Sequence, residues 1–133
     1  MSSIPFTEQQ RKAIETSGVS VMVSAAAGSG KTAVLAERCA HFVCDAAPED
    51  RCNADELLVL TFTEAASAEM RTRIVEAIRS RLKQRPTDER LRDQLALMDA
   101  AKITTVHSFC YWLVRRWFSD LGIDPAATVL DGD

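Results

Sequence analysis

The chain has 133 residues, and 47% of them are hydrophobic, which is enough for the core of one domain but hardly for two. A net charge of −3 excludes a protein that attracts nucleic acid through an overall basic surface, so such a partner would have to be met by a local patch. No apolar run is long enough to span a membrane, and residues 1–6 lack the charged and apolar regions of a signal peptide. We therefore expect a cytoplasmic protein with no membrane partner.

The four cysteines do not form a metal-binding pattern. They are Cys39, Cys44, Cys52 and Cys110, they include no C-x-x-C pair, and no histidine completes a set of zinc ligands. We expect reduced thiols at all four positions, as is usual in the cytosol.

The first part of the chain predicts two helices around one strand. Thr7 opens a helix that Gly18 closes, and residues 19–24 (VSVMVS) then form an apolar run that predicts a buried strand. A second helix is predicted from Lys31 to about Cys44. Residues 46–55 contain a proline and several acids, which indicates a loop.

The rest of the chain alternates strands with periodic helices. Residues 57–60 and 103–106 predict strands, and two helices lie between them, the first ending at Pro86 and the second capped by Thr87. A last helix is stopped by Gly122 and Pro125. This alternation indicates an α/β fold whose parallel strands are joined by helical crossovers.

Apolar residues at helical spacing give each of these helices a predicted inner face. In the first of the three they are Met70, Ile74, Ile78 and Leu82, and in the second Leu91, Leu95 and Met98. In the last helix they are Val106, Phe109, Cys110, Leu113, Val114, Trp117, Phe118 and Leu121.

A stretch of small residues, SAAAGSGKT at 24–32, links the first predicted strand to the second helix. Small residues let backbone N–H groups approach phosphate oxygens, and a helix N-terminus adds partial positive charge. Lys31 would supply an ammonium for the β- and γ-phosphates of a nucleotide, and the Thr32 hydroxyl can bind Mg²⁺. The candidate phosphate-binding residues are Ala25, Ala26, Ala27, Gly28, Ser29, Gly30, Lys31 and Thr32, with Ala25 where this pattern usually has glycine.

A flexible linker is the alternative interpretation of this stretch. A linker, however, does not require Lys-Thr at this offset, directly between a strand and a helix. The context therefore favours phosphate binding.

Four segments then stand in one order along the chain: FTEQQRKAI, VSAAAGSGKTAVLAER, LLVLTFTEAASAEMRTRI and ITTVHSFC. In this order and spacing they resemble the N-terminal part of a superfamily-1 UvrD-like DNA helicase. The resemblance is closest to the RecB-related branch that includes the AddA component of the bacterial AddAB helicase–nuclease, and it covers about residues 6–130.

The resemblance implies an incomplete P-loop NTPase (RecA-like) α/β fold, in which residues 1–133 are the N-terminal part of helicase motor domain 1A. It implies an ATP-binding fragment of an ATP-dependent helicase or translocase that acts on single-stranded DNA in double-strand-break repair. ATP and Mg²⁺ are the implied cofactors. The implied partners are single-stranded DNA and an AddB-type protein, and the bacterial cytoplasm, with the nucleoid, is the implied location.

Gln10 matches the family glutamine that contacts the adenine edge. Thr7-x-x-Gln10 is also a capping box, in which the glutamine side chain bonds back to the Thr7 N–H. The residues alone leave both roles of Gln10 open, and the resemblance favours adenine.

Two further segments match motifs that contact the DNA strand in this family. The first is Thr61-Phe62-Thr63, whose hydroxyls suit a phosphate and whose ring suits a base. The second is Thr105, His107 and Ser108 in a T-x-H-S pattern. Without the resemblance, Phe62 would predict core packing, His107 a cap or core residue, and Ser108 a cap for a helix starting at Phe109.

The chain also departs from the family pattern. Ala33 stands where many relatives carry an arginine against the adenine, no strand ends in Asp-Glu, and no later arginine is placed to stabilise the transferring phosphoryl group. We therefore expect an N-terminal fragment or truncated product of a larger helicase, whose isolated chain does not hydrolyse ATP at a useful rate.

The same resemblance carries an expectation about strand order. In these motors, strands with later motifs separate the phosphate-loop strand from the motif-Ia strand. Residues 19–24 are therefore not expected to pair with residues 57–60, and the isolated chain is expected to self-associate through unpaired strand edges.

Two other functions remain open from the residues alone. One is a small P-loop kinase, with Arg115 and Arg116 as its basic lid, and the other is a non-catalytic nucleotide-binding module. Basic residues also cluster on the helix after motif Ia, at Arg71, Arg73, Arg79, Arg81, Lys83 and Arg85. A solvated face is the default interpretation of that cluster, with a phosphate track as the lesser alternative.

Overall fold

The computed structural model describes residues 5–124 and 126–128. Their helices are α1 (Glu8–Glu15), α2 (Lys31–Cys44), α3 (Glu64–Gln84), α4 (Glu89–Leu97), α5 (Val106–Arg116) and α6 (Phe118–Leu121). Their strands are β1 (Leu58–Thr61) and β2 (Lys102–Thr105), and a single 3₁₀ turn spans Ala54–Glu56.

The two strands form a parallel pair. Leu58 lies opposite Lys102, and Thr61 lies opposite Thr105. Parallel strands need a long crossover, which α3 and α4 supply. This confirms the mixed α/β architecture with a helical crossover, and it brings the carboxyl ends of β1 and β2 to one edge.

The core lies where α2 and α3 pack together and cover the strands. The predicted inner face of α3 is confirmed: Ile74 and Ile78 are fully buried, Met70 is nearly so, and Leu82 packs partly buried beside them. In α4, Leu91 and Met98 are buried as predicted, and Leu95 is half-buried.

The predicted buried strand at residues 19–24 is wrong for this structure. The segment has no strand assignment and is exposed throughout, with Val19 64% and Met22 95% accessible. A strand needs neighbours for its N–H and C=O groups, and in the part of the chain that the structure describes the sheet contains only β1 and β2. The expectation that this segment does not pair with the motif-Ia strand is confirmed.

Several predicted ends move by a few residues. Helix α1 ends at Glu15, before Gly18, and the cap of α4 is Asp88, whose carboxylate accepts from the Leu91 N–H at 3.3 Å, rather than Thr87. The second strand lies one residue later than predicted and the third one residue earlier.

The predicted last helix differs most from expectation. It is interrupted at Trp117, which separates α5 from α6, and it has no buried residue among those described. Trp112, Trp117 and Leu121 are all substantially exposed. Gly122, with φ +64°, ends α6 as predicted, whereas Pro125 lies outside the described residues.

The arginines of α3 mostly bind other parts of the fold. Arg81 joins α3 to α2 through Glu37 and Asp45, both at 2.5 Å, and Arg85 adds a bond to Asp45 at 2.7 Å. Arg71 donates to the carbonyl oxygens of Met98 and Ala101, on the turn before β2. These side chains are tethers between elements, so neither a simple solvated face nor a phosphate track describes the cluster.

All four cysteines are free. Burial raises the pKa of the Cys39 thiol, and that of the Cys44 thiol, to about 11, because the thiolate loses its hydration in the core. Cys110, by contrast, is exposed.

We predict that a disulfide-exchange reagent such as DTNB at pH 8 modifies Cys110 quickly and Cys39 and Cys44 very slowly. A thiol of pKa about 11 is ionised at pH 8 in only about one molecule in a thousand, and the thiolate is the nucleophile. The rate at the buried thiols should rise with pH up to about 11. In the Cys110→Ser variant the fast phase should vanish, and a fast phase that persisted there would contradict the buried assignment.

One buried polar side chain was not foreseen from the sequence. Gln94 of α4 is 3% exposed, accepts from the Ala54 N–H at 2.7 Å and donates to the Asn53 side chain at 3.1 Å. It therefore fixes the 3₁₀ turn that leads into β1.

We predict that Gln94→Leu lowers the free energy of unfolding by about 1–3 kcal/mol, because the buried Ala54 N–H loses its acceptor. Urea titration followed by circular dichroism measures this. Gln84→Leu, the same change at an exposed end of α3, is the matched control and should change the free energy of unfolding by less than about 0.5 kcal/mol. Equal effects of the two changes would refute the role assigned to Gln94.

Candidate functional site: a phosphate loop and a two-strand edge

The glycine-rich stretch forms an exposed loop that runs straight into α2. Gly28 and Gly30 have φ of +77° and +82°, a left-handed conformation that side chains disfavour. Gly30 is also the N-cap of α2 and provides no side-chain cap. The first helical bond runs from the Val34 N–H to the Gly30 oxygen, so the amides of Lys31 and Thr32 precede the helical ladder and can face an anion.

Lys31 reaches back across this loop. Its Nζ donates to the carbonyl oxygens of Ala25 at 2.5 Å and Ala26 at 2.9 Å. An ammonium group has three donors, so two are used by the loop and one remains for another acceptor. The loop carbonyls thus hold a mobile cation beside the N-terminus of α2.

Gln10 links α1 to the same loop. The capping box is confirmed: the Thr7 N–H donates to Gln10 Oε1 at 2.8 Å, and the Gln10 N–H donates to Thr7 Oγ1 at 3.3 Å. In addition, Gln10 Nε2 donates to the Ser29 carbonyl at 3.2 Å. The capping role and a position against the phosphate loop therefore coexist in one side chain.

A cavity of about 540 Å³ lies between α1 and the extended segment before the loop. Of the predicted nucleotide residues, Gln10, Ala25, Ser29 and Lys31 line it. Its volume falls in the range of small-molecule sites. The other predicted loop residues are exposed beside it: Ala26, Ala27, Gly28, Gly30 and Thr32.

Arg38 fixes α1 against α2, behind this cavity. Its Nη1 donates to the carbonyl oxygens of Ala13 at 2.6 Å and Ile14 at 3.3 Å, and its guanidinium lies 4.7 Å from the centre of the Phe42 ring. The carbonyls at the end of α1 thereby gain a cationic partner. The wall that carries Gln10 is held to the helix that carries Lys31.

The predicted DNA-contacting residues meet at the carboxyl edge of the two strands. Thr61 ends β1 opposite Thr105, which ends β2. Phe62 follows β1 with 89% of its surface exposed, so the alternative of core packing is wrong. Thr63 Oγ1 accepts from the Ala66 N–H at 3.1 Å and caps α3.

The T-x-H-S segment caps the next helix differently from expectation. Helix α5 starts at Val106 rather than Phe109, and its cap is Thr105, whose Oγ1 accepts from the Ser108 N–H at 3.1 Å. The prediction of Ser108 as the cap is therefore wrong. Ser108 and His107 lie exposed in the first turn of α5, which contradicts a core position for His107.

Glu64 is a residue of this edge that the sequence analysis missed. It is the first residue of α3, and its Oε1 accepts from Ser108 Oγ at 3.2 Å and from Thr105 Oγ1 at 3.4 Å. An acid after a Thr cap marks a helix start in the sequence. Its contacts 41 and 44 residues away depend on the parallel register and have no local signal.

The profile of the UvrD/REP helicase N-terminal domain matches residues 6–133. The chain belongs to this family. The resemblance seen in the four motifs is thus confirmed, and the exposed loop and the two-strand edge are features of a UvrD/REP helicase N-terminal domain.

Bacterial relatives of this UvrD/REP chain share one name, that of the AddA component of an ATP-dependent helicase/nuclease. The protein of that name from Exiguobacterium sibiricum is 46% identical over 129 residues, covering 97% of this chain and 11% of that protein. The one from Thermoanaerobacter sp. is 52% identical over 120 residues, 90% of this chain and 10% of its own length. The one from Moorella thermoacetica is 47% identical over 126 residues, 95% and 9%. The chain spans about a tenth of the length of these relatives.

Within residues 5–124 and 126–128, no helix of this UvrD/REP chain combines the length and apolar character needed to cross a bilayer.

Proposed function

We propose that residues 1–133 are the N-terminal part of motor domain 1A of an ATP-dependent DNA helicase, and that they bind ATP with Mg²⁺. The observation that carries the proposal is the loop at the start of α2, with two left-handed glycines and Lys31 Nζ beside uncapped helical amides. This donor set suits a polyphosphate, because each donor is a backbone N–H or an ammonium and none is an acceptor.

Each part of the loop has its own task in this proposal. The amides ahead of the α2 ladder hold the phosphates, and Lys31 exchanges its bonds to Ala25 and Ala26 for the terminal phosphates. Thr32 offers its hydroxyl to Mg²⁺. Gln10 stands where its amide can meet the base, while its contact with the Ser29 carbonyl ties that event to the loop. ATP supplies the phosphoryl group whose transfer drives the motor.

The second half of the proposal concerns the DNA strand. Phe62 is exposed at the carboxyl edge, where it can stack on a base. The hydroxyls of Thr61, Thr63, Thr105 and Ser108, with His107, lie around it and suit phosphate oxygens. We assign this edge to single-stranded DNA.

The exposed segment at residues 19–24 fits a RecA-like sheet whose other strands lie elsewhere in the parent protein. Its apolar residues would be covered there, and in isolation they favour self-association. Because the relatives are named as components of an ATP-dependent helicase/nuclease, we further propose action in double-strand-break repair with an AddB-type partner. Such a protein would work in the bacterial cytoplasm, with the nucleoid.

We predict that Lys31→Ala lowers the affinity of the chain for ATP–Mg²⁺ by at least about tenfold, because charge-assisted bonds to the terminal phosphates are lost. Isothermal titration calorimetry measures this directly. Lys83→Ala removes the same charge from an exposed site in the last turn of α3 and should leave the affinity unchanged. Equal affinity of Lys31→Ala and the unmodified chain would show that the loop does not bind nucleotide.

A second prediction separates the two roles of Gln10. Gln10→Glu keeps an acceptor for the Thr7 N–H and hence the capping box, but loses the amide donor that a purine nitrogen requires. ATP affinity should fall by roughly three- to tenfold, with little change in melting temperature. Thr7→Ala should do the reverse, weakening the helix cap and leaving the preference for ATP over GTP intact. An ATP affinity that follows helix stability across both variants would contradict contact with the base.

A further inference from the structure

Two helices begin at the edge where β1 and β2 end. Helix α3 starts at Glu64 after its cap Thr63, and α5 starts at Val106 after its cap Thr105. Because β1 and β2 are parallel and in register, both helix N-termini lie at one edge. The partial positive charge of two helices therefore favours an anion there.

An anion already lies at this edge, and it belongs to the chain. Glu64 Oε1 is 3.2 Å from Ser108 Oγ and 3.4 Å from Thr105 Oγ1, and the two hydroxyl oxygens are 3.0 Å apart. Hydroxyl bonds usually measure about 2.7–2.8 Å. The bonds to the carboxylate are long and hence weak, so another acceptor can replace them at low cost.

The protons at this cluster are few. Ser108 and Thr105 have one hydroxyl proton each, and ionised Glu64 can only accept. The Thr105 oxygen is further engaged as acceptor of the Ser108 N–H at 3.1 Å. A phosphate oxygen is also only an acceptor, so the Ser108 hydroxyl cannot donate to Glu64 and to a phosphate at the same time.

We propose that Glu64 is a positioning residue that takes the place of a DNA phosphate at this edge and is exchanged for one when single-stranded DNA binds. The inference rests on the proposed DNA-contacting role of this edge and specifies how that contact is regulated. Without DNA, the carboxylate keeps the hydroxyls of Ser108 and Thr105 directed to the edge. With DNA, a phosphate takes the Ser108 proton and Glu64 turns away.

This exchange has a measurable consequence for affinity. The bond that a phosphate gains at Ser108 is offset by the bond that Glu64 loses, and the carboxylate also repels the phosphate. Glu64 therefore weakens the hold on the strand at this contact. A neutral side chain of the same shape should strengthen it.

The test measures binding of a labelled oligothymidylate, about 16 nucleotides long, by fluorescence anisotropy at low salt. Glu64→Gln should raise affinity by roughly three- to tenfold, because it removes the competing charge. Glu64→Ala, which removes the acceptor as well, should raise affinity at least as much. Glu76→Gln is the matched control: it makes the same change at an exposed site twelve positions along α3, roughly 18 Å away, and should change affinity less than twofold.

Ser108→Ala should lower affinity and, in the same protein, abolish the gain from Glu64→Gln. Such non-additivity is expected only if Glu64 acts through the Ser108 hydroxyl. If Ser108→Ala lowers affinity but Glu64→Gln does not raise it, or the gain survives in the double variant, the inference is wrong and the DNA-contacting edge stands. If none of the variants nor the unmodified chain binds the oligonucleotide, the proposed DNA edge and the inference fall together.

Discussion

The parallel register of β1 with β2 is the constraint on which the DNA-facing part of the molecule depends. Setting Thr61 opposite Thr105 brings together two loops that are more than forty residues apart. The register is stabilised indirectly, since α3 and α4 must pack over the pair to close the crossover. The burial of Ile74 and Ile78, and the hold of Arg71 on the turn before β2, therefore determine where Thr105 and Ser108 stand.

The phosphate loop is positioned without a sheet. Residues 19–24 are exposed and unpaired within the described part of the chain, so the loop is held by its helical side instead. Arg38 binds α2 to the end of α1, and Gln10 binds α1 to the Ser29 carbonyl. Helix α2 in turn packs on α3 through the Arg81 ion pairs, which connects the loop to the core that supports the edge.

Sequence reasoning succeeded where a local pattern determines structure. The bounds of α2, the inner face of α3 and the crossover all follow from periodicity, and the capping box follows from the spacing of Thr7 and Gln10. It failed where the outcome depends on distant partners. Residues 19–24 have the composition of a buried strand, but burial requires neighbouring strands, and composition alone does not provide them.

The candidate site divides in the same way. The loop residues could be named from their order, because small residues, Lys31 and the start of a helix are adjacent in sequence. Glu64 could not, because its role comes from two hydroxyls brought near by the strand register. The bond between Gln10 and Ser29 was missed for the same reason: it spans 19 residues and follows from the packing of α1 on α2.

The three helix N-termini at the two sites differ in how their amides are satisfied. Helix α2 begins at Gly30 with no side-chain cap, so its amides are open to a ligand and need no exchange. Helices α3 and α5 are capped by Thr63 and Thr105, and Glu64 already supplies an anion there. In the proposed motor, a nucleotide therefore gains the full strength of the loop's donors, whereas DNA gains only the difference between its phosphates and a carboxylate. A protein that must hold its nucleotide through a reaction, yet release its strand at every step, requires this asymmetry.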